Sequence, residues 1–235
     1  MNRIISTSMV LLTVSSFTFA APKTPKYRNK QAALFSYVLS YDQTMQEQLN
    51  KHITLFEADP KVDPIEKALR NRIYYLFKDR MEKEIGLSFL PIESFQNAIN
   101  YDEFGFPSDN IGKAIRVGNS KLYYKLEIKV SSSPEIGSGY SAARQKKNSK
   151  KEAMAEKVDP NNFKPSISIV ITIFNNKGII PIDKFQGIGN ANEVLPTDVT
   201  LLDGLVNEEP LEGKNSLMGV ANEAVNDLII NMLQK

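Results

Sequence analysis

Hydrophobic and polar positions alternate most cleanly in the middle of the chain. Leu122, Tyr124, Leu126, Ile128 and Val130 are separated by Tyr123, Lys125, Glu127 and Lys129. Successive strand side chains point to opposite faces, so this stretch predicts a strand with one buried and one wet face, as in an antiparallel sheet. Residues 166–174 predict a second strand, with Ile167, Ile169, Ile171 and Ile173 on one face. Asn175-Asn176-Lys177-Gly178 then reads as a turn, and residues 179–182 as a returning hairpin arm. Pro181 has no amide hydrogen to offer a neighbour, which confines that arm to a sheet edge.

Helical spacing marks two further regions. Ile65, Ala68, Leu69, Ile73, Leu76, Phe77, Met81 and Ile85 fall on one stripe. Asp63 can cap that helix, Pro64 suits its first turn, Glu66 completes a capping-box spacing, and Gly86 supplies a left-handed stop. A short strand is expected directly after it at 87–92, then a helical turn at 94–100 and a loop at 101–112. The last helix is expected at about 216–233, with Leu217, Val220, Ala221, Ala224, Val225, Leu228 and Met232 as its stripe. Gly219, Ala221 and Ala224 are small enough to let it sit close to a sheet. Residues 32–56 support two readings. Leu34, Val38, Tyr41, Met45, Leu49, Ile53 and Phe56 recur at helical spacing, yet 33–41 is rich in strand formers. The remaining elements look like a sheet lacking its first strand, which favours strand first and helix after.

Together these elements predict an α/β fold: a two-layer sandwich of a mostly antiparallel or mixed sheet, with at least two helices packed on one face.

The start of the chain changes the picture of where this fold works. Met1-Asn2-Arg3 is a short basic head, residues 4–19 carry no charge, and Ala20 closes the run with Thr18 two residues before it. This order is expected of a cleaved export signal at 1–20, followed by a polar leader at 21–31 and one domain at 32–235. The apolar run is shorter than the roughly 20 residues a spanning helix needs, and no later run is long enough either. The 235-residue chain contains no cysteine, which excludes disulfides, thiolate metal sites and the lipid attachment of a bacterial lipoprotein. Loss of Arg3 with the signal leaves 28 basic residues against 27 acidic ones, a net charge of +1. That is no footprint for nucleic acid.

Charge is nevertheless uneven. Between the two best strands lies a polar stretch at 131–165, in which Arg144, Lys146, Lys147, Lys150, Lys151 and Lys157 face only Glu152 and Glu156 between 141 and 157. A loop this long is either functional or a solvated excursion. As a contact surface it would meet anionic partners: lipid headgroups, glycolipid or an acidic protein patch. Arg144, Lys146, Lys147, Lys150 and Lys151 are the contact residues expected on that reading. Beside the basic run, Tyr140 is the residue that could stack on a base.

Candidate chemistry is sparse. His52 is the single histidine, so paired His/Cys sites are excluded and a Ser-His-acid triad would have to use it. Asp102 and Glu103 lie beside Tyr101 in a loop with Gly105 and Pro107, where carboxylate chemistry is conceivable but no calcium-loop spacing is present. Gly187-Ile188-Gly189 lacks the third glycine of a dinucleotide fingerprint, and Gly213-Lys214-Asn215-Ser216 has Glu208 where a phosphate loop has its first glycine. The first reads as a strand bend, the second as entry to the last helix. No cofactor is implied.

The elements at 65–92, 122–130 and 167–189 and the helix after Ser216 occur in an order that resembles periplasmic α/β domains of the TolB amino-terminal and curli-secretion lipoprotein type. The resemblance implies a non-catalytic component of an envelope complex. It departs from many such proteins in lacking a lipid-bearing cysteine. The leading expectation is therefore an exported, non-enzymatic envelope protein that acts as an adaptor by binding other proteins. A module binding anionic lipid or a small ligand, and a carboxylate hydrolase near Asp102, stand as alternatives.

Overall fold

The computed structural model describes residues 25–47, 64–132, 162–196 and 216–234. Five strands form a mixed sheet in the order β2-β1-β3-β5-β6. They are β1 (Lys30–Tyr41), β2 (Leu87–Phe89), β3 (Leu122–Ser131), β5 (Ser166–Asn175) and β6 (Asp183–Asn190). β1 runs parallel to both β2 and β3, whereas β3, β5 and β6 are antiparallel in turn. A separate two-residue pair joins β4 (Asn162–Phe163) to β7 (Leu195–Pro196). The strand-first reading holds as far as residue 47, and residues 48–56 lie outside the described residues. β1 ends at Tyr41, and residues 43–47 are helical, started by Asp42, whose carboxylate accepts from the Met45 amide at 2.7 Å.

Two helices cover one face, as the apolar stripes require. The first, α1 (Pro64–Arg80), runs on through a single wider turn at Met81–Ile85 and stops at Gly86. Gly86 has φ 75°, the left-handed geometry expected of it, and its N–H donates to the Met81 carbonyl. Leu69, Ile73, Phe77, Met81 and Ile85 are buried against Leu34, Tyr124 and Leu126 of the sheet. The last helix, α3 (Leu217–Leu233), is capped by Ser216, whose hydroxyl accepts from the Gly219 amide. Every residue of its expected stripe is buried.

The close approach of α3 to the sheet is set by β6 rather than by the helix alone. Side chains at Gly187 and Gly189 would point at α3: a Cβ on Gly187 would overlap the Ala224 carbonyl oxygen, and one on Gly189 that of Val220. Backbone therefore lies against backbone. The Asp227 carboxylate accepts from the Ile188 amide at 3.0 Å, and the Asn231 amide group donates to the Gln186 carbonyl at 2.8 Å. These two bonds occupy outward-facing groups of an edge strand that would otherwise invite another strand.

Several expectations are corrected. Tyr123, placed on the wet face of β3, is fully buried, because a smaller cluster of Ala33, Phe35, Phe95, Ile99, Ala114 and Phe174 covers that face at one end. Lys125, Glu127 and Lys129 do line the wetter part, and Lys125 pairs with Glu127 at 2.7 Å. The region read as a loop at 101–112 runs into a short helix, α2 (Ile111–Val117), capped by Asn110. Residues 25–29, read as polar leader, make a turn with Tyr27 buried in the main core. The return of the hairpin begins at Asp183, so residues 179–182 are its connection and not its arm.

Candidate binding surface

Three places gather charge or exposed apolar surface, and each has a different physical character. The first surrounds Arg70. This arginine sits on the buried side of α1, 8% exposed. Its guanidinium donates to Glu66 one turn earlier and, at 3.1 Å, to Asp102. It also lies over the Phe104 and Tyr37 rings. Asp102 is further engaged, since its other oxygen accepts from the Phe104 and Phe106 amides at 3.1 and 2.8 Å. Phe106 stacks on Tyr37, whose hydroxyl donates to the Arg70 carbonyl. The carboxylate suspected of chemistry thus fixes the loop after Tyr101 to α1. Glu66 serves the same contact. Asp63, its expected capping partner, lies outside the described residues.

Burial bears on the nearby tyrosines. It pushes the Tyr74 hydroxyl up to about 12 and raises that of Tyr124 as well. Both are neutral at ordinary pH, which makes them core groups with no basic oxygen to offer.

The second place is the buried Asp183 at the start of β6, which accepts from the Tyr27 hydroxyl and from the Lys26 ammonium. Tyr27 meets Phe185 edge-on at 6.3 Å between ring centroids. This contact clasps the segment before β1 to the far edge strand. It spends the only acidic residue of the 175–190 hairpin on the fold.

The third place is the hairpin connection itself. Ile179 and Ile180 are 66% and 79% exposed, and Ile182 is 37% exposed, with Pro181 between them. The connection is anchored at both ends: the Asn176 amide donates to the Lys121 carbonyl at 3.2 Å and the Ile182 amide to the Ile173 carbonyl at 2.8 Å. Ile179 lies by the first turn of α2, near Gly112. Lys177 and Lys184 flank the tip and are exposed, as is Lys121 beside it. Three branched aliphatic side chains within four residues form an apolar patch with a basic rim, of the kind that marks a contact surface.

Arg144, Lys146, Lys147, Lys150 and Lys151 lie outside the described residues, as does His52. The tip itself was not foreseen as a surface. The signal for it is the run Ile-Ile-Pro-Ile, which follows a complete Asn-Asn-Lys-Gly turn without the apolar–polar alternation of a half-buried arm. For Arg70 the signal is a cation three residues before Ile73, inside an apolar stripe, with Glu66 four residues earlier to receive it. Among the described residues no three His, Cys, Asp or Glu side chains gather as metal ligands, and no helix is long and apolar enough to cross a membrane.

The chain matches no known protein-family model and no curated protein. It is similar to several solved structures. A hypothetical protein of Chlamydia trachomatis is 9% identical over 87% of this chain and 96% of its own, with a TM-score of 0.43. The PelC dodecamer of Paraburkholderia phytofirmans is 10% identical over 92% and 94%, with a TM-score of 0.34. A candidate lipoprotein of Caulobacter crescentus is 10% identical over 69% and 82%, with a TM-score of 0.30. None of the three is named as a TolB or curli-secretion protein, and likenesses of this size carry no argument about function.

Proposed function

We propose that this chain is an exported, non-enzymatic component of the cell envelope that works as an adaptor, docking through the 179–182 tip. One observation carries the proposal. The sheet buries Ile167, Ile169, Ile171 and Ile173 along β5, yet Ile179 and Ile180 stand in water at an anchored turn of the same hairpin. Full burial of such a side chain stabilises by about 1.5–3 kcal/mol. Leaving two of them exposed in adjacent positions suits a surface completed by a partner. Arg70, Asp102 and Asp183 hold segments of the fold together. Export rests on the pattern of residues 1–20.

The test is capture from native cell envelopes after mild cross-linking, with the mature chain and its Ile179→Ser/Ile180→Ser variant compared side by side. The expected outcome is one reproducible envelope component retained by the native chain and lost with the variant. Equal capture by both would remove the tip as a surface for a protein partner.

A further inference from the structure

We propose that the 179–182 tip inserts into the surface of an anionic lipid bilayer. The inference rests on the tip being the docking surface and names what it docks onto. Two features of the patch favour lipid over a protein partner. The first is its apolar chemistry. Protein interfaces take most of their binding energy from Trp, Tyr and Arg seated in pockets, with aliphatic residues such as Leu and Val under-represented. The tip offers isoleucines and a proline on a turn, with no aromatic residue and no arginine between Asn175 and Lys184. Such side chains can enter the boundary between headgroups and acyl chains without a pocket to receive them.

The second feature is the rim. Lys177 and Lys184 flank the tip in sequence, and Lys121 is joined to Asn176 through its carbonyl. Among the described residues none of these three lysines pairs with a carboxylate. Lysine is depleted in protein interfaces. Near an anionic membrane it is worth about fivefold in partitioning per residue, and its long stem lets the ammonium reach the headgroups while the apolar tip lies deeper. Asp183, the one acid in the hairpin, is buried under Tyr27 and Lys26, so no carboxylate of the hairpin faces the lipid phosphates. Apolar wedge and basic rim thus sit on one anchored turn, and insertion asks for no rearrangement of the sheet.

The chain contains no tryptophan, so Ile180→Trp places a single fluorescent reporter at the tip. Vesicles of phosphatidylcholine mixed with phosphatidylglycerol should shift its emission to the blue, and brominated acyl chains should quench it. Phosphatidylcholine alone should do neither. In flotation, the native chain should rise with the mixed vesicles and Ile179→Ser/Ile180→Ser should not. Lys121→Ser/Lys177→Ser/Lys184→Ser should lower partitioning by about 100-fold, and high salt should act in the same direction. A native chain that stays with the unbound fraction, or a floating chain whose tip reporter is unshifted, overturns the inference. If vesicles fail but the tip variant still loses an envelope protein in the capture experiment, the docking surface stands and its partner is protein. If vesicle binding and tip-dependent capture both fail, the docking surface falls as well.

Discussion

One hairpin treats the same residue type in two opposite ways. Along β5, Ile167, Ile169, Ile171 and Ile173 are at most 1% exposed, whereas a few residues further on Ile179 and Ile180 stand mostly in water. Hydrophobicity cannot explain the difference, since the side chains are identical. What differs is the cover. α3 lies directly on β6 because Gly187 and Gly189 leave room for its backbone, and together they close one face over β5. Beyond the last rung at Asp183 no described element closes over the turn. Glycine placement thus decides where the core ends, and the apolar residues left outside it become the surface. The body of the hairpin belongs to stability and its tip to contact.

The comparison breaks most severely at the seam. Gly187→Val forces a branched side chain into the Ala224 carbonyl and to within 2.6 Å of the Leu228 Cβ in the unrelaxed position. The helix must move off the sheet, at an expected cost of about 4 kcal/mol or more, beyond ordinary overpacking. Urea unfolding of the mature chain would measure it. A loss below about 1 kcal/mol would show that α3 does not rest on β6 as described. Arg70→Met comes next. It leaves Glu66 and Asp102 without their cation in a partly buried site, at about 3 kcal/mol. Arg70→Lys should restore less than half of that, because a point charge cannot serve Glu66 and Asp102 together with the geometry of a planar fork. Full rescue by lysine would reduce the contact to simple charge pairing.

These two sites also show why the fold was more legible than the site. Helix and strand positions follow from periods that packing enforces: the stripe from Leu69 to Ile85, the alternation from Leu122 to Val130, and the capped run from Ser216 were all readable because each buries one face. Tyr123 departed from its alternation because α2 and the Phe95 turn cover the second face locally, a tertiary fact with no trace in a period of two. Asp102 was legible as a loop carboxylate but not as the partner of Arg70, 32 residues away in sequence. Residues 179–182 were apolar enough to pass for a strand. Only the pairing of Ile173 with Asp183 reveals that they lie outside the sheet.

A smaller effect is expected at the start of α2, beside the tip. The Lys113 ammonium and the amides of Asn100 and Asn110 hold the Asp109 carboxylate down to about 2, against an ordinary 3.8. A carboxylate depressed in the folded state stabilises fully above its unfolded value and stops doing so as pH falls through the folded one. Stability assigned to Asp109 should therefore persist above pH 3.8 and fade toward pH 2. Asp109→Asn should cost about 1 kcal/mol at neutral pH and flatten the stability profile across that window. Parallel profiles for the two chains would mean that other carboxylates govern the acid limb.

The smallest effect expected on stability is the sharpest test of the comparison. Ile179→Ser/Ile180→Ser removes two large apolar side chains, and inside β5 the same pair of changes would cost several kcal/mol. At the tip the side chains give up little contact and expose no new core, so the unfolding free energy should stay within about 0.5 kcal/mol of the native chain. The turn should survive as well, because its anchors are backbone bonds from Asn176 and Ile182 and a clasp through Asp183, none of which uses an isoleucine side chain. Removing exposed apolar surface should also raise solubility. A loss of about 2 kcal/mol or more would place the isoleucines against chain that covers them and make the tip part of the core. An unchanged fold with docking lost would leave contact as what these residues are for.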